Sequence, residues 1–166
     1  MRDKLKKIKV LALDVDGVLT DGKIIIDGKG GEIKNFHVRD GYGLVICRSL
    51  GFKTVLITAR RSKAVHHRAK DLRFDKVYQG AYPKIGAYQK MLRELKVKHQ
   101  EVCFMGDDLP DLPVLRQVGL AVAVPDAPAE VKRAADYVTK RRGGDGAVRE
   151  VIELILKAQG KWKRLL

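Results

Sequence analysis

Two carboxylates two residues apart, Asp14 and Asp16, stand where the short apolar run from Ile8 to Leu13 breaks into Asp14-Val15-Asp16-Gly17-Val18-Leu19-Thr20-Asp21-Gly22. Side chains at that spacing lie on the same side of a strand, so both can face one pocket. Close, unpaired carboxylates repel and raise each other's pKa, and a bound cation relieves the repulsion. A second acidic cluster, Gly106-Asp107-Asp108-Leu109-Pro110-Asp111, also follows an apolar run and precedes a helical pattern. Hard carboxylate oxygens with room left for water and a phosphate oxygen suit magnesium. Each cluster also has a plainer reading: an Asp-Gly turn with exposed charges for the first, and a helix N-cap for Asp108.

Two further segments can add hydroxyl and cationic groups. Leu56-Ile57-Thr58-Ala59-Arg60-Arg61 ends a third apolar run with one hydroxyl and two guanidinium groups. Lys84 follows Pro83 at a predicted helix start, where free N–H groups and an ammonium together make an anion site. A single Lys in such a place is ordinarily a solvated charge. Gly17 to Lys23 also fits the first seven positions of a phosphate-binding P-loop. Ile24 then stands where Ser or Thr would hold magnesium, and the stretch from Lys23 to Asp27 is β-prone where a helix should start, which argues against nucleotide hydrolysis through this loop.

The elements that must position these groups alternate. Buried-strand patterns at Ile8 to Asp14, Lys53 to Thr58, Glu101 to Gly106 and Leu120 to Val124 are separated by helical patterns at Gly43 to Leu50, Ser62 to Leu72, Pro83 to Leu95 and Leu109 to Gln117. Such alternation predicts an α/β fold, a Rossmann-like parallel sheet flanked by helices. The carboxyl ends of parallel strands share one rim, where the two acidic clusters can converge. Lys23 to Asp27 and Glu32 to His37, around Gly28-Lys29-Gly30-Gly31, read as a β-hairpin inserted after the first strand, a possible flap spanning about 22–37. A last helix is expected from Asp145 to about Gly160, followed by a basic tail over about 160–166. At 166 residues and 45% hydrophobic content, a single domain over 1–166 is expected, with one core.

Composition narrows the partners. The 34 Lys and Arg exceed the 20 Asp and Glu to give a formal charge of +14, a field that attracts anions. The basic residues are dispersed without interleaved aromatics, so a small anionic substrate is favoured over nucleic acid. A basic nucleic-acid-binding protein, its acidic clusters merely turns, is the reading from a different class. No run is long enough to span a membrane and no apolar signal region follows the first residues, which predicts a cytoplasmic protein without membrane contact. Cys47 and Cys103 lie in apolar runs as expected of free, buried thiols. His37, His66, His67 and His99 form no zinc-type spacing and are left out of the chemistry, although His37 can approach the rim.

Taken in order, DVDGVLTDG, LITAR, Lys84 and GDDLPD resemble the haloacid-dehalogenase-like phosphatase superfamily, the pattern spanning Asp14 to Asp111. The resemblance implies phosphomonoester hydrolysis with Mg2+, Asp14 being the nucleophile that forms an aspartyl-phosphate and Asp16 the general acid and base. It implies that Thr58 and Lys84 hold the transferring phosphoryl oxygens. Asp14, the backbone carbonyl of Asp16 and Asp107 would be the magnesium ligands, supported by Asp108 and Asp111. Pro110 departs from the Asn expected at its place in the last element.

Between Asp14 and Thr58 the chain has room only for the hairpin and one helix, so no cap domain is expected. The hairpin, Phe36-His37-Val38-Arg39-Asp40-Gly41-Tyr42-Gly43 and Arg142-Gly143-Gly144-Asp145-Gly146-Ala147-Val148-Arg149-Glu150 resemble a capless branch of the superfamily. That branch releases phosphate from an eight-carbon keto-sugar acid in lipopolysaccharide biosynthesis, as a homotetramer whose subunits help to close each other's sites. A nine-carbon keto-sugar acid phosphate is the neighbouring alternative, since motifs specify phosphoryl transfer better than the sugar. Arg60 is the first candidate for binding the substrate, with Arg39, Gly143 and Gly144 behind it.

Overall fold

The computed structural model describes residues 1–165. The four strand patterns become β1 (Val10–Leu13), β4 (Lys53–Thr58), β6 (Val102–Gly106) and β7 (Leu120–Ala123). They are joined by β5 (Lys76–Gln79) and β8 (Tyr137–Val138) in one parallel sheet of order β5-β4-β1-β6-β7-β8. β1 lies between β4 and β6, with Leu13 level with Leu56 on one side and Met105 on the other. Every residue of β1, β6 and β7 is buried, as a sheet covered on both faces requires.

One layer of helices comprises α1 (Arg2–Lys7), α2 (Val38–Ser49) and α7 (Ala147–Ala158). A second layer comprises α4 (Lys84–Leu95), α5 (Leu112–Leu115) and α6 (Ala129–Ala134), and α3 (Lys63–Asp71) packs by the hairpin. α7 buries Val148, Val151, Ile152 and Ile155 on the face its spacing predicted. It starts two residues later than the sequence suggested, because Gly146 takes a left-handed conformation at its N-cap. The buried Asp40 carboxylate then accepts from the backbone N–H of Gly146 at 3.3 Å and of Arg149 at 2.7 Å, tying α2 to the start of α7.

The edge elements were not predicted. β5 is only half buried, so its polar and apolar residues make no continuous apolar run; β8 has two residues; α1 buries Leu5 alone among charged residues. The inserted hairpin is present as β2 (Ile25–Ile26) and β3 (Glu32–Ile33), pairing Ile25 with Ile33 and Ile26 with Glu32. Asp27 closes its turn by accepting from the backbone of Lys29 and Gly31. Ile24, Ile25, Ile26 and Ile33 stay 53%, 37%, 59% and 51% exposed. Among the described residues there is no cap domain, and no helix is long and apolar enough to cross a membrane.

Candidate active site

Asp14 is the first residue beyond β1, and its backbone N–H still donates to Met105, so the strand's hydrogen bonding carries it to the sheet's carboxyl edge. The chain then turns back sharply: the N–H groups of Val18, Leu19 and Thr20 all point to the Val15 carbonyl, and Gly17 takes a positive φ of 84°. A Cβ at Gly17 would run into the Asp107 carboxylate. Only glycine lets the two acidic loops approach this closely.

Across the rim, Asp111 is fully buried and used on both oxygens. One accepts from the backbone N–H of Asp107 at 3.0 Å and of Asp108 at 3.3 Å, while the other faces the Lys84 ammonium at 2.6 Å. Lys84 also lies 2.9 Å from Asp14, with its side chain 4% exposed. The helix-start lysine, ordinarily solvated, is here a buried strut between two carboxylates. Asp108 takes the N-cap role weighed for it, its carboxylate accepting from Leu109 N–H at 2.8 Å. Thr58 ends β4 at 2% exposure and faces the same cavity, about 170 Å³, with Asp14, Asp16, Lys84 and Asp107.

Carboxylate oxygens of Asp14, Asp107 and Asp111 lie within 4.8 Å of one another. Burial pushes the Asp14 carboxyl up to about 6, reinforced by Asp111 and opposed by Lys84. Burial, with the charges of Asp14 and Asp111, pushes Asp107 up to about 8. Burial alone would lower Lys84, but Asp14 and Asp111 outweigh it and hold the ammonium protonated. Three carboxylates thus share one cation, and the cluster suits a small divalent ion with oxygen ligands. Asp111 is already occupied on both oxygens, which leaves Asp14 and Asp107 as the side chains able to hold it.

Asp16 faces the same cavity but stands apart from that cluster, its Oδ1 2.5 Å from the Lys34 ammonium. The Arg60 guanidinium bridges Asp16 at 3.5 Å and Glu32 at 2.9 Å. Arg60 is therefore at the rim as expected, yet it is engaged rather than free. Ser62, Lys34 and Arg60 together hold the Glu32 carboxyl down at about 2. Glu32 and Lys34 were missed by sequence reasoning; the signal was the alternation Glu32-Ile33-Lys34, which puts both charged side chains on one side of a β3-like segment.

Other candidates lie elsewhere. Gly143 and Gly144 do not line the cavity: a Cβ on Gly143 would strike the Gly17 carbonyl oxygen, and Gly144 N–H donates to Val18 at 3.1 Å. They back the Asp14 loop because residues 143–144 must pass beneath it with no side chain between. Arg39 and His37 line a separate hollow between α2 and α7, and Arg61 turns toward Gly80 and a third hollow.

A profile of haloacid dehalogenase-like hydrolases matches residues 76–152. The chain is 46% identical over 158 residues to the 3-deoxy-D-manno-octulosonate 8-phosphate phosphatase of Escherichia coli K12, covering 95% of this chain and 84% of that one. The chain belongs to the 3-deoxy-D-manno-octulosonate 8-phosphate phosphatase family of haloacid dehalogenase-like hydrolases. A phosphatase of this family from Moraxella catarrhalis, solved in complex with magnesium ion, phosphate ion and a KDO molecule, is 41% identical with a TM-score of 0.97, covering 99% of this chain and 94% of that one. The cobalt-bound form of the Haemophilus influenzae phosphatase is 39% identical with a TM-score of 0.92, covering 95% of this chain and 92% of that one. Haloacid dehalogenase-like phosphatases of this family are magnesium enzymes, and the Asp14–Asp107 cluster supplies oxygen ligands of the kind they need.

Proposed function

We propose that this phosphatase hydrolyses 3-deoxy-D-manno-octulosonate 8-phosphate to the free keto-sugar acid and inorganic phosphate, with magnesium, on the route to lipopolysaccharide. The observation that carries the reading is the meeting of Asp14, Asp107 and Lys84 at one sheet edge of a chain 41% identical to a phosphatase described with magnesium, phosphate and KDO.

The residues divide the work by position. Phosphate monoesters resist attack because their oxygens are negative, so neutralisation and in-line placement dominate the catalysis. The Asp14 carboxylate attacks phosphorus and forms an aspartyl-phosphate while the ester oxygen leaves. Asp16, at the mouth of the cavity, protonates that leaving oxygen and then takes a proton from the water that hydrolyses the aspartyl-phosphate. Thr58 and Lys84 hold the transferring oxygens, and Asp111 keeps Lys84 in place. Asp14, Asp107 and the backbone carbonyl of Asp16 would hold magnesium, which when bound would supply further charge neutralisation at the phosphoryl group. Arg60, at the rim with 46% of its side chain exposed, would pair with the sugar carboxylate through its planar fork.

The same reading includes a cytoplasmic homotetramer. Its support is the hairpin, whose exposed isoleucines make an apolar surface beside an uncapped site. The test is phosphate release from a panel of sugar phosphates with and without magnesium. The expected result is magnesium-dependent turnover with the eight-carbon ester preferred. Preference for a nine-carbon keto-sugar acid phosphate would move the substrate assignment, and metal-independent release would overturn the mechanism.

A further inference from the structure

The hairpin reaches the catalytic rim through charge. Lys34, just past β3, has a side chain only 1% exposed, and its ammonium lies 2.5 Å from Asp16 Oδ1 and 3.1 Å from Glu32 Oε1. From the other side Arg60 Nε lies 3.5 Å from Asp16 Oδ2, and its Nη2 lies 2.9 Å from the same Glu32 oxygen. Two carboxylates and two cations thus alternate around a closed ring whose formal charge is zero. Each Asp16 oxygen faces a different cation, one from the hairpin and one from the loop after β4. A carboxylate held on both oxygens from two elements is fixed in rotation as well as in place.

A buried lysine is nearly always paired, because an unpaired ammonium out of water is costly. Lys34 in this ring therefore ties the docked hairpin to the Asp16 carboxylate. Removing its charge would leave Asp16 and Glu32 sharing Arg60 alone, and the Asp16 carboxyl would lose the partner on Oδ1.

We propose that Lys34 is a positioning residue for Asp16: seated by Glu32, it aims the Asp16 carboxyl at the leaving-group oxygen and couples hairpin docking to leaving-group protonation. The inference rests on the proposed role of Asp16 as general acid. Its signature is dependence on the leaving group. A sugar alkoxide needs the proton as the ester bond breaks, whereas 4-nitrophenolate leaves without one.

The test compares first-turnover rates, with enzyme in excess over substrate and magnesium saturating, for the sugar phosphate and for 4-nitrophenyl phosphate. First turnover isolates the step in which Asp16 gives a proton from the later step in which it takes one. Lys34→Met is expected to slow sugar release about 30-fold or more while changing nitrophenolate release by less than about 3-fold. Lys34→Arg should recover most of the loss, and Glu32→Gln should give a smaller loss of the same selectivity. Asp16→Asn is the control and should be at least as selective as Lys34→Met.

Selective Asp16→Asn with equal losses on both substrates in Lys34→Met would overturn the positioning role, as would a loss that disappears at saturating enzyme concentration. An unselective Asp16→Asn would instead overturn the general-acid reading, and the inference with it. If Lys34→Met does not fold, the decision falls to Glu32→Gln: a selective loss there supports the ring, and an unselective loss or none overturns it.

Discussion

Asp14 sits between opposing influences, with Lys84 at 2.9 Å on one side and the acidic neighbours Asp107 and Asp111 on the other. Asp14→Asn removes the attacking oxygen and is expected to lower turnover by about 10³-fold or more with the fold retained, as measured by phosphate release and circular dichroism. Near-parental activity would remove Asp14 from the covalent step. The metal-free carboxyls of Asp14 and Asp107, raised to about 6 and about 8, set a pH dependence of stability. Both folded-state values lie above the unfolded one, so the metal-free fold holds protons that the unfolded chain has released. Its stability therefore falls as pH rises from about 4 through about 8. Magnesium competes with those protons, so the rise in Tm on adding it should be larger at pH 8 than at pH 6. A rise independent of pH would place the metal away from these two groups. For Arg60, Arg60→Ala is expected to raise KM about 10-fold for the carboxylate-bearing sugar phosphate and less than about 3-fold for 4-nitrophenyl phosphate. Equal changes would assign Arg60 to the phosphate or to the fold.

At the scale of elements, the site depends on segments that never touch substrate. The 143–144 segment runs under the Asp14 loop, with Gly144 N–H on the Val18 carbonyl, and any side chain at 143 meets the Gly17 carbonyl. Gly143→Ala must push one backbone off the other. A loss of about 1–3 kcal/mol in unfolding free energy is expected, with turnover falling because Gly17 abuts Asp107. Denaturant unfolding together with phosphate release checks this, and an unchanged midpoint would mean the loop yields freely. The same glycines looked like a substrate loop in the sequence, because a Gly-Gly pair near a rim reads the same whether it admits a ligand or another stretch of backbone.

For the whole molecule, the exposed hairpin and the absence of a cap among the described residues are one problem. Isoleucines 37–59% exposed on a two-stranded sheet are costly in water, and a second copy can cover them and the site mouth together. Sedimentation under assay conditions should show a tetramer in the parent and smaller species in Ile26→Asp, with activity falling in parallel. A fully active monomer would separate assembly from catalysis while leaving the phosphatase chemistry in place.

The types and order of the reactive side chains were legible in the sequence for a physical reason. Each follows a buried apolar strand, and parallel strands bring their carboxyl ends to one edge, so DVDG, LITAR and GDDLPD had to meet. The edge strands β5 and β8 were not legible, because half-solvated strands carry no continuous apolar run. Partnership was decided only by tertiary structure. That Asp111 clamps Lys84 across 27 residues, that Asp40 caps α7 across 109, and that Lys34 and Glu32 close a ring on Asp16 and Arg60 are matters of distance in space. Local sequence sets which groups can pair, but burial and the approach of distant backbones decide which of them do.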